Sequence, residues 1–177
     1  MPQNLKMFIS CFILSFAGVM FAASVTVPMY VTGPHTKPGT YVGTVLAKDS
    51  QYGLLLTPDL HHLLPALSSG LHGFHVHVRP SCTDNGMAAG GHLDPTARGK
   101  HLGPYNPDGH LGDLPALYVD SEGNANLPVL APKLTVDQIL NHALMIHAGG
   151  DNYSDQPDLG GGGARMICGV IPKVSKP

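Results

Sequence analysis

Two histidines separated by a single residue stand in GFHVH, residues 73–77. In a β-strand, side chains two residues apart point to the same face, so the imidazoles of His75 and His77 are expected to lie together. Phe74 and Val76 would then face the other way, into a hydrophobic core. Neighbouring imidazoles suit copper or zinc. Taken alone, this short pattern is only a weak indication of a metal site.

Further candidate ligands follow in a glycine-rich segment. His92 lies in GGHLDP, His101 lies in KHLGP, and His110 and Asp113 lie in HLGD. Three imidazoles and one carboxylate make a closed four-ligand set of the kind that holds zinc. The surrounding glycines allow the backbone to turn each ligand inward. His147, at the end of the apolar run ALMIH, can add a ligand beside the first histidine pair.

Short apolar stretches predict the strands that would position these residues. They alternate with turn residues such as Gly33, Pro34 and Gly123, a pattern typical of an antiparallel sandwich or barrel. The predicted strands are residues 25–32, 40–47, 52–57, 71–78, 114–120, 125–130, 143–148 and 166–171. Only residues 135–141 suggest a helical turn. Two segments without apolar periodicity, 79–113 and 149–164, are expected to be long functional loops.

Residues 1–23 are predicted to be a secretory signal peptide. Lys6 is the only charged residue before Lys37, and the apolar run MFISCFILSFAGVMFAA follows it. A basic start, an apolar segment and small residues at its end are typical of such peptides. An uncleaved membrane anchor is one alternative, because the run is about as long as a minimal membrane span. Cys11 makes a lipoprotein the other alternative. We predict one domain, residues 24–177, with no membrane contact after cleavage.

The charge and the cysteines of the predicted mature chain narrow the function classes further. It carries 9 Lys and Arg against 12 Asp and Glu, a net charge of −3, with no basic block. Binding to nucleic acid is therefore not expected. Cys82 and Cys168 remain, and an even pair in an oxidising compartment is expected to form a disulfide. Two unrelated buried thiols are the alternative.

Together these motifs resemble the copper/zinc superoxide dismutase family, in its bacterial branch. The resemblance is carried by GFHVH, GGHLDP, KHLGP, HLGD, MIHAGGDNYSD and GGGGARMICGVI, and its bacterial character by HVRPSC, PYNPDGHLGDLPAL and HAGGDNYSD. It covers nearly all of residues 24–177. It implies an all-β fold, an eight-stranded Greek-key β-sandwich or flattened barrel with long metal-binding and electrostatic loops. The loop of residues 79–113 would fold over the sandwich, and the disulfide would tie that loop to the last strand.

The resemblance also implies two metal ions and the residues around them. It assigns copper to His75, His77, His92 and His147, and zinc to His92, His101, His110 and Asp113. His92 would thus bridge the two metals as an imidazolate. Asp151 would accept hydrogen bonds from His75 and His101, and such partners fix the orientation of a ligand ring. An exposed loop aspartate is the alternative for Asp151. Arg165 matches the family's arginine beside copper, although in isolation it would be an ordinary surface charge.

The implied activity converts two superoxide anions to dioxygen and hydrogen peroxide. Copper would cycle between Cu(II) and Cu(I), while zinc, which has no redox chemistry, would keep His92 oriented. Arg165 would attract the anion and hydrogen-bond to it, as a catalytic residue together with His92. The expected setting is antioxidant defence in the periplasm, and a homodimer is a further expectation.

Two other function classes compete with this interpretation. A protein that only buffers copper or zinc would lack Arg165 or the bridging His92, and a structural sandwich module would have lost metal ligands. Neither departure is present in the sequence. Lys100 can add positive potential near the site or be merely solvated. The other histidines are expected to be structural or exposed: His35, His61, His62, His72 and His142.

Overall fold

Nine β-strands make up most of the regular structure in the computed structural model, which describes residues 22–34 and 39–174. The strands are β1 (Ser24–Val31), β2 (Tyr41–Ser50), β3 (Gly53–Leu60), β4 (Gly70–His72), β5 (Phe74–His77), β6 (Leu117–Val119), β7 (Val129–Ala131), β8 (Ala143–His147) and β9 (Arg165–Val170). One short α-helix, α1 (Val136–Ile139), and two 3-10 turns, Met87–Ala89 and Asp158–Gly161, complete the regular elements of this part of the chain.

Seven strands form one antiparallel sheet in the order β5-β8-β9-β1-β2-β3-β7, and β4 pairs with β6 in a second, two-stranded sheet. Alternate side chains of β1 and β3 point into the core, which places Val27, Leu54 and Leu56 at zero exposure. Burial of each such side chain stabilises the fold by about 1.5–3 kcal/mol. The core also contains Phe74 and Val76, as the alternation in GFHVH predicts. The all-β prediction is confirmed.

The strand predicted at residues 71–78 is interrupted at Gly73. His72 ends β4 and Phe74 begins β5. The backbone N–H of Gly73 donates to the carbonyl of Gly149 at 2.8 Å, and its carbonyl accepts from the N–H of His147 at 2.9 Å. The chain therefore leaves the small sheet and joins the large one at this glycine. This division accounts for nine strands where eight were predicted.

Two other predicted elements are shorter than expected. Of residues 125–130, only the end belongs to a strand, and Ala125 makes an isolated bridge to Leu60. The predicted helical turn at 135–141 is α1, four residues long. The N–H of Thr135 donates to the side-chain oxygen of Gln138 at 2.9 Å, which supports the first turn of α1.

A disulfide joins the first long loop to the last strand. Cys82 pairs with Cys168 on β9 across a sequence separation of 86 residues, so the predicted bond is confirmed. Closing a loop of this length removes enough entropy from the unfolded chain to stabilise the fold by about 4–5 kcal/mol. The loop thus has a covalent anchor close to its own beginning.

Within the described residues, no helix has the length and apolar character needed to cross a membrane. The predicted signal peptide and its alternatives fall almost entirely on residues 1–21, outside the described part of the chain. The boundary at residue 23 therefore stays a prediction.

Candidate metal centre

Strand β5 places His75 and His77 on one side of the large sheet, opposite the core side chains. Both imidazoles are nonetheless buried, because the loop of residues 79–113 covers them. His77 donates from Nδ1 to the carbonyl oxygen of Gly90 at 2.9 Å. The loop that covers the strand therefore also orients one of its rings.

Two segments of that loop pair with the outer edge of β5. Isolated bridges set His92 opposite His77 and Asp113 opposite His75. The N–H of Leu93 donates to the carbonyl of Val76 at 2.8 Å, so the segment follows the strand in register. The pairing fixes both loop residues at the positions where they meet the β5 histidines.

Gly112 makes this approach possible. The N–H of Val76 donates to the carbonyl of Gly112 at 2.9 Å. A Cβ added at Gly112 would clash with the carbonyl oxygen of Val76. A larger residue would therefore push the segment that carries Asp113 away from β5.

Strand β8 delivers His147 from the other side. The β8–β9 register shifts between Ile146 and His147, and beyond that bulge His147 lies directly opposite Arg165. Bulges of this kind re-aim side chains next to active sites. His147 donates from Nδ1 to the carbonyl oxygen of Gly163 at 3.1 Å. The strand pairing thus brings an imidazole and a guanidinium together at one point.

These residues form two buried clusters that share one imidazole. The four-histidine cluster consists of His75, His77, His92 and His147, and the carboxylate cluster consists of His92, His101, His110 and Asp113. Within each cluster, one potential ligand atom from every residue lies within 4.8 Å of the others. The structure therefore brings together all seven residues that the resemblance assigns to metals.

The carboxylate cluster converges on a single oxygen of Asp113. Its Oδ1 lies 2.9 Å from Nδ1 of His92, 3.0 Å from Nδ1 of His101 and 3.4 Å from Nδ1 of His110. The other oxygen accepts the N–H of Gly103 at 3.1 Å, which holds the carboxylate in position. Three imidazoles facing one carboxylate give a set of four donors suited to zinc.

Unpartnered nitrogens test whether the four-histidine cluster fits a metal ion. Each ring has one nitrogen that contacts a protein oxygen, while its other nitrogen is buried with no hydrogen-bond partner. The free atoms are Nδ1 of His75 and Nε2 of His77, His92 and His147. Buried polar atoms without a partner are costly and need an explanation. Four nitrogens directed at one another have the donor chemistry of a copper site.

Burial keeps these rings neutral in the metal-free protein. It lowers the pKa of His75 to about 3 and that of His147 to about 4, and the neighbouring His92 adds to both shifts. Burial also lowers the pKa of His77 to about 2. Because a metal binds the deprotonated nitrogen, these rings need lose no proton at neutral pH to become ligands.

Asp151 links the two clusters. Its carboxylate accepts a hydrogen bond from Nε2 of His75 at 2.7 Å and another from Nε2 of His101 at 2.8 Å. Although burial alone would raise the pKa of Asp151, these bonds hold it well below its usual range. Gly160, at φ +76°, leaves the necessary room, because a Cβ there would clash with the Asp151 carboxylate.

A cavity of about 220 Å³ opens beside the four-histidine cluster, lined in part by Met87, His147, Asp158 and Arg165. Nη1 of Arg165 donates to the carbonyl oxygen of Gly86 at 2.8 Å, which fixes the guanidinium against the loop. Burial, and then the nearby Arg79, lower the pKa of Arg165 from its ordinary value. The cavity gives a small anion access to both the cluster and a cation.

Sequence reasoning missed three residues that hold the carboxylate cluster from outside. Asp155 accepts the N–H of His101 at 2.7 Å. Lys133 donates to three loop carbonyls, those of Gly103, Asn106 and His110, at 3.2, 2.9 and 3.0 Å. The hydroxyl of Tyr153 accepts the N–H of Ala116 at 2.9 Å. The sequence carries no signal for these contacts, because each joins segments that are 23 or more residues apart.

The remaining histidines lie outside both clusters. His72 is buried, with Nδ1 2.9 Å from the carbonyl of His147 and Nε2 3.0 Å from that of Ser68, which suits a structural role. His61 and His62 are exposed, His142 is half-buried with Nδ1 2.8 Å from the carbonyl oxygen of Val78, and His35 falls outside the described residues. The exposed Lys100 has no ion pair among the described residues.

Comparison with known proteins agrees with this geometry. The family model described as copper/zinc superoxide dismutase matches residues 41–171. A Cu-Zn superoxide dismutase from Francisella tularensis subsp. holarctica (strain LVS) is 55% identical over 140 residues, covering 77% of this chain and 74% of the relative.

Two solved structures are also similar. The Cu/Zn superoxide dismutase from Brucella abortus is 46% identical with a TM-score of 0.76, and the monomeric copper, zinc superoxide dismutase from Salmonella enterica is 47% identical with a TM-score of 0.71. Each similarity covers 84% of this chain and 99% of the other chain.

Proposed function

The chain belongs to the copper/zinc superoxide dismutase family, and we propose that its four-histidine cluster holds copper while its carboxylate cluster holds zinc. As a superoxide dismutase, it converts two superoxide anions to dioxygen and hydrogen peroxide. The observation that carries the assignment is the set of buried, unpartnered nitrogens directed into the four-histidine cluster. Bound copper supplies one-electron redox chemistry between Cu(II) and Cu(I), and zinc supplies none.

His92 is the proposed source of a proton inside the cavity. Its Nδ1 lies 2.9 Å from Asp113 and its Nε2 is buried without a partner on the side of the four-histidine cluster. Nε2 can take up a proton after the first superoxide and give it to the reduced product of the second. Zinc held by the carboxylate cluster would keep the His92 ring from turning while it does so.

Arg165 is proposed to bind the superoxide anion. Its Nη1 donates to the carbonyl of Gly86, and its other N–H groups, which have no hydrogen-bond partner among the described residues, can donate to a charged oxygen. Such a charge-assisted bond is stronger than one between neutral groups. Among the described residues that line the cavity, Arg165 is the one cation, and Asp158 is an acid that would repel the anion.

The test compares Arg165→Ala and Arg165→Lys with an exposed control, Arg98→Ala. Arg98 pairs with Asp108 at 3.7 Å outside the cavity lining. In metal-loaded protein, Arg165→Ala should lower the bimolecular rate with superoxide and flatten its decline with added salt, since screening then acts on a weaker attraction. Arg165→Lys should recover part of the rate because it restores charge without the planar fork.

The same preparations separate the proposal from its rivals. A metal buffer would bind copper and zinc in the predicted amounts but show no superoxide-dependent activity. A sandwich module with vestigial sites would retain neither metal after dialysis. If Arg165→Ala keeps the wild-type rate and salt dependence, Arg165 does not bind the substrate.

Export to the periplasm is the proposed location. Its support is the N-terminal sequence, with a single lysine followed by an apolar run of residues 7–23. Expression of the full chain and N-terminal sequencing of the secreted form would test the cleavage site. A homodimer stays a prediction, and the similar superoxide dismutase from Salmonella enterica is monomeric. Light scattering on the mature protein gives its mass directly.

A further inference from the structure

Met87 presents a thioether at the cavity beside the four-histidine cluster. It begins the 3-10 turn Met87–Ala89 and is 57% exposed. It lines the same cavity as His147 and Arg165. The other described methionines do not share this exposure, since Met29 and Met145 are fully buried and Met166 packs partly against the core.

The backbone around Met87 is fixed on every side. Its N–H donates to the carbonyl of Asp84 at 2.8 Å, and its carbonyl accepts from the N–H of Gly90 at 3.1 Å. The carbonyl of Gly86 accepts from Nη1 of Arg165, and the carbonyl of Ala88 accepts from Nε of Arg79 at 2.7 Å. The thioether therefore moves only through its own side-chain torsions and stays near the cavity.

We propose that Met87 is an entry ligand for Cu(I), which its thioether captures at the cavity before the ion passes to His147. The inference rests on the proposed copper site. Cu(I) is a soft ion that favours thioether sulfur, whereas zinc and Cu(II) favour imidazole and oxygen ligands. His147 is only 5% exposed, and its Nε2 has no hydrogen-bond partner. It lines the same cavity and supplies the next ligand inward.

The charges around the cavity favour weak, transient binding of Cu(I) at Met87 over long-term binding there. Arg165 and Asp158 offset each other in the lining, and Arg79 lies close enough to Arg165 to affect its pKa. A cuprous ion held by one thioether among these charges is weakly bound. The four buried nitrogens beyond it offer a stronger site, so the ion moves inward.

The first experiment follows Cu(I) uptake by zinc-loaded, copper-free protein, supplied anaerobically as a bicinchoninate complex in a stopped-flow instrument. Met87→Leu should slow uptake by roughly tenfold, the size of change seen when a supporting contact to a metal is lost. Met87→His, which restores a Cu(I) ligand, should recover much of the rate. Met166→Leu is the matched control and should behave as wild type. Equal uptake by wild type and Met87→Leu would overturn the proposal.

A second readout does not depend on rates. Ag(I) serves as a redox-inert substitute for Cu(I), and the Met87 methyl resonance is identified by its absence from Met87→Leu. Early additions of Ag(I) to the copper-free protein should shift that resonance and leave that of Met166 in place. An unmoved Met87 resonance would contradict capture by the thioether.

The experiment also distinguishes the two proposals. If wild type takes up no copper at the four-histidine cluster, the copper assignment itself fails. If both proteins take up copper equally fast and give the same Cu(II) spectrum, only the role of Met87 fails.

Discussion

Replacing Asp151 by Asn tests how the two clusters depend on one carboxylate. Asp151 accepts from Nε2 of His75 at 2.7 Å and from Nε2 of His101 at 2.8 Å. An asparagine of the same size offers one acceptor oxygen and one donor nitrogen. One of the two ring N–H groups would therefore face another donor.

The expected loss is that of one charge-assisted hydrogen bond, roughly 1.5–3 kcal/mol. His75 is held by the pairing of β5 with β8, whereas His101 lies outside the strands, on the loop of residues 79–113, where its own N–H is bonded to Asp155. Because the His101 ring lacks the support of a strand, the substitution should weaken zinc binding more than copper binding. We expect the zinc Kd of Asp151→Asn to rise about 10–100-fold, with a smaller change for copper.

The assay is competition for zinc between metal-free protein and a chromophoric chelator, with the disulfide intact and the β-sheet signal checked by circular dichroism. Asp155→Asn is the matched control, because it removes the same charge from the same loop while its amide oxygen still accepts the N–H of His101. Wild-type zinc affinity in Asp151→Asn would refute the argument. Equal weakening in both variants would attribute the loss to charge rather than to ring orientation.

Three further predictions concern zinc, protons and the disulfide. Asp113→Ala should lose zinc on dialysis against a mild chelator while still binding copper; stoichiometric zinc by mass spectrometry would contradict the ligand assignment. Burial opposes the charge of His101, but hydrogen bonds to Asp113 and Asp151 raise its pKa to about 9. Zinc uptake at neutral pH should therefore release a proton from this ring, and the release should fade as the pH rises through about 9. Calorimetry in buffers of different ionisation enthalpy measures the number of protons released. Alkylation of unreduced, denatured mature protein should leave its mass unchanged, and replacing Cys82 by Ser should cost about 4–5 kcal/mol of unfolding free energy in denaturant titrations.

The histidine spacing predicted more of the site than of the strands around it. His75 and His77 are two residues apart on one strand, so the period of a β-strand is enough to bring them together. The break at Gly73 and the bulge at His147 were not predictable from such a period. Both follow from hydrogen bonds to the loop of residues 149–164, and a local pattern contains no information about that partner.

The supporting residues were hidden for a related reason. Lys133 reads as an ordinary exposed lysine in sequence, yet it donates to three carbonyls of the loop that carries His110. Arg79 likewise reads as a surface charge, but it holds the carbonyl of Ala88. Such roles depend on loop-to-loop packing, and residue type alone does not specify them.

The disulfide, the loop segment that leads to Gly86 and the guanidinium of Arg165 are linked by successive contacts. Cys168 lies on β9, the strand that begins with Arg165, and its bond to Cys82 fixes the start of the loop segment that leads to Gly86. The carbonyl of Gly86 in turn holds the guanidinium at the cavity. A Cβ at Gly86 would lie 3.1 Å from the Cβ of Arg165, so the two segments pack without spare room. Since β9 and the segment that leads to Gly86 are joined both by the disulfide and by this hydrogen bond, the disulfide that stabilises the fold also holds in place the cation proposed to bind the substrate.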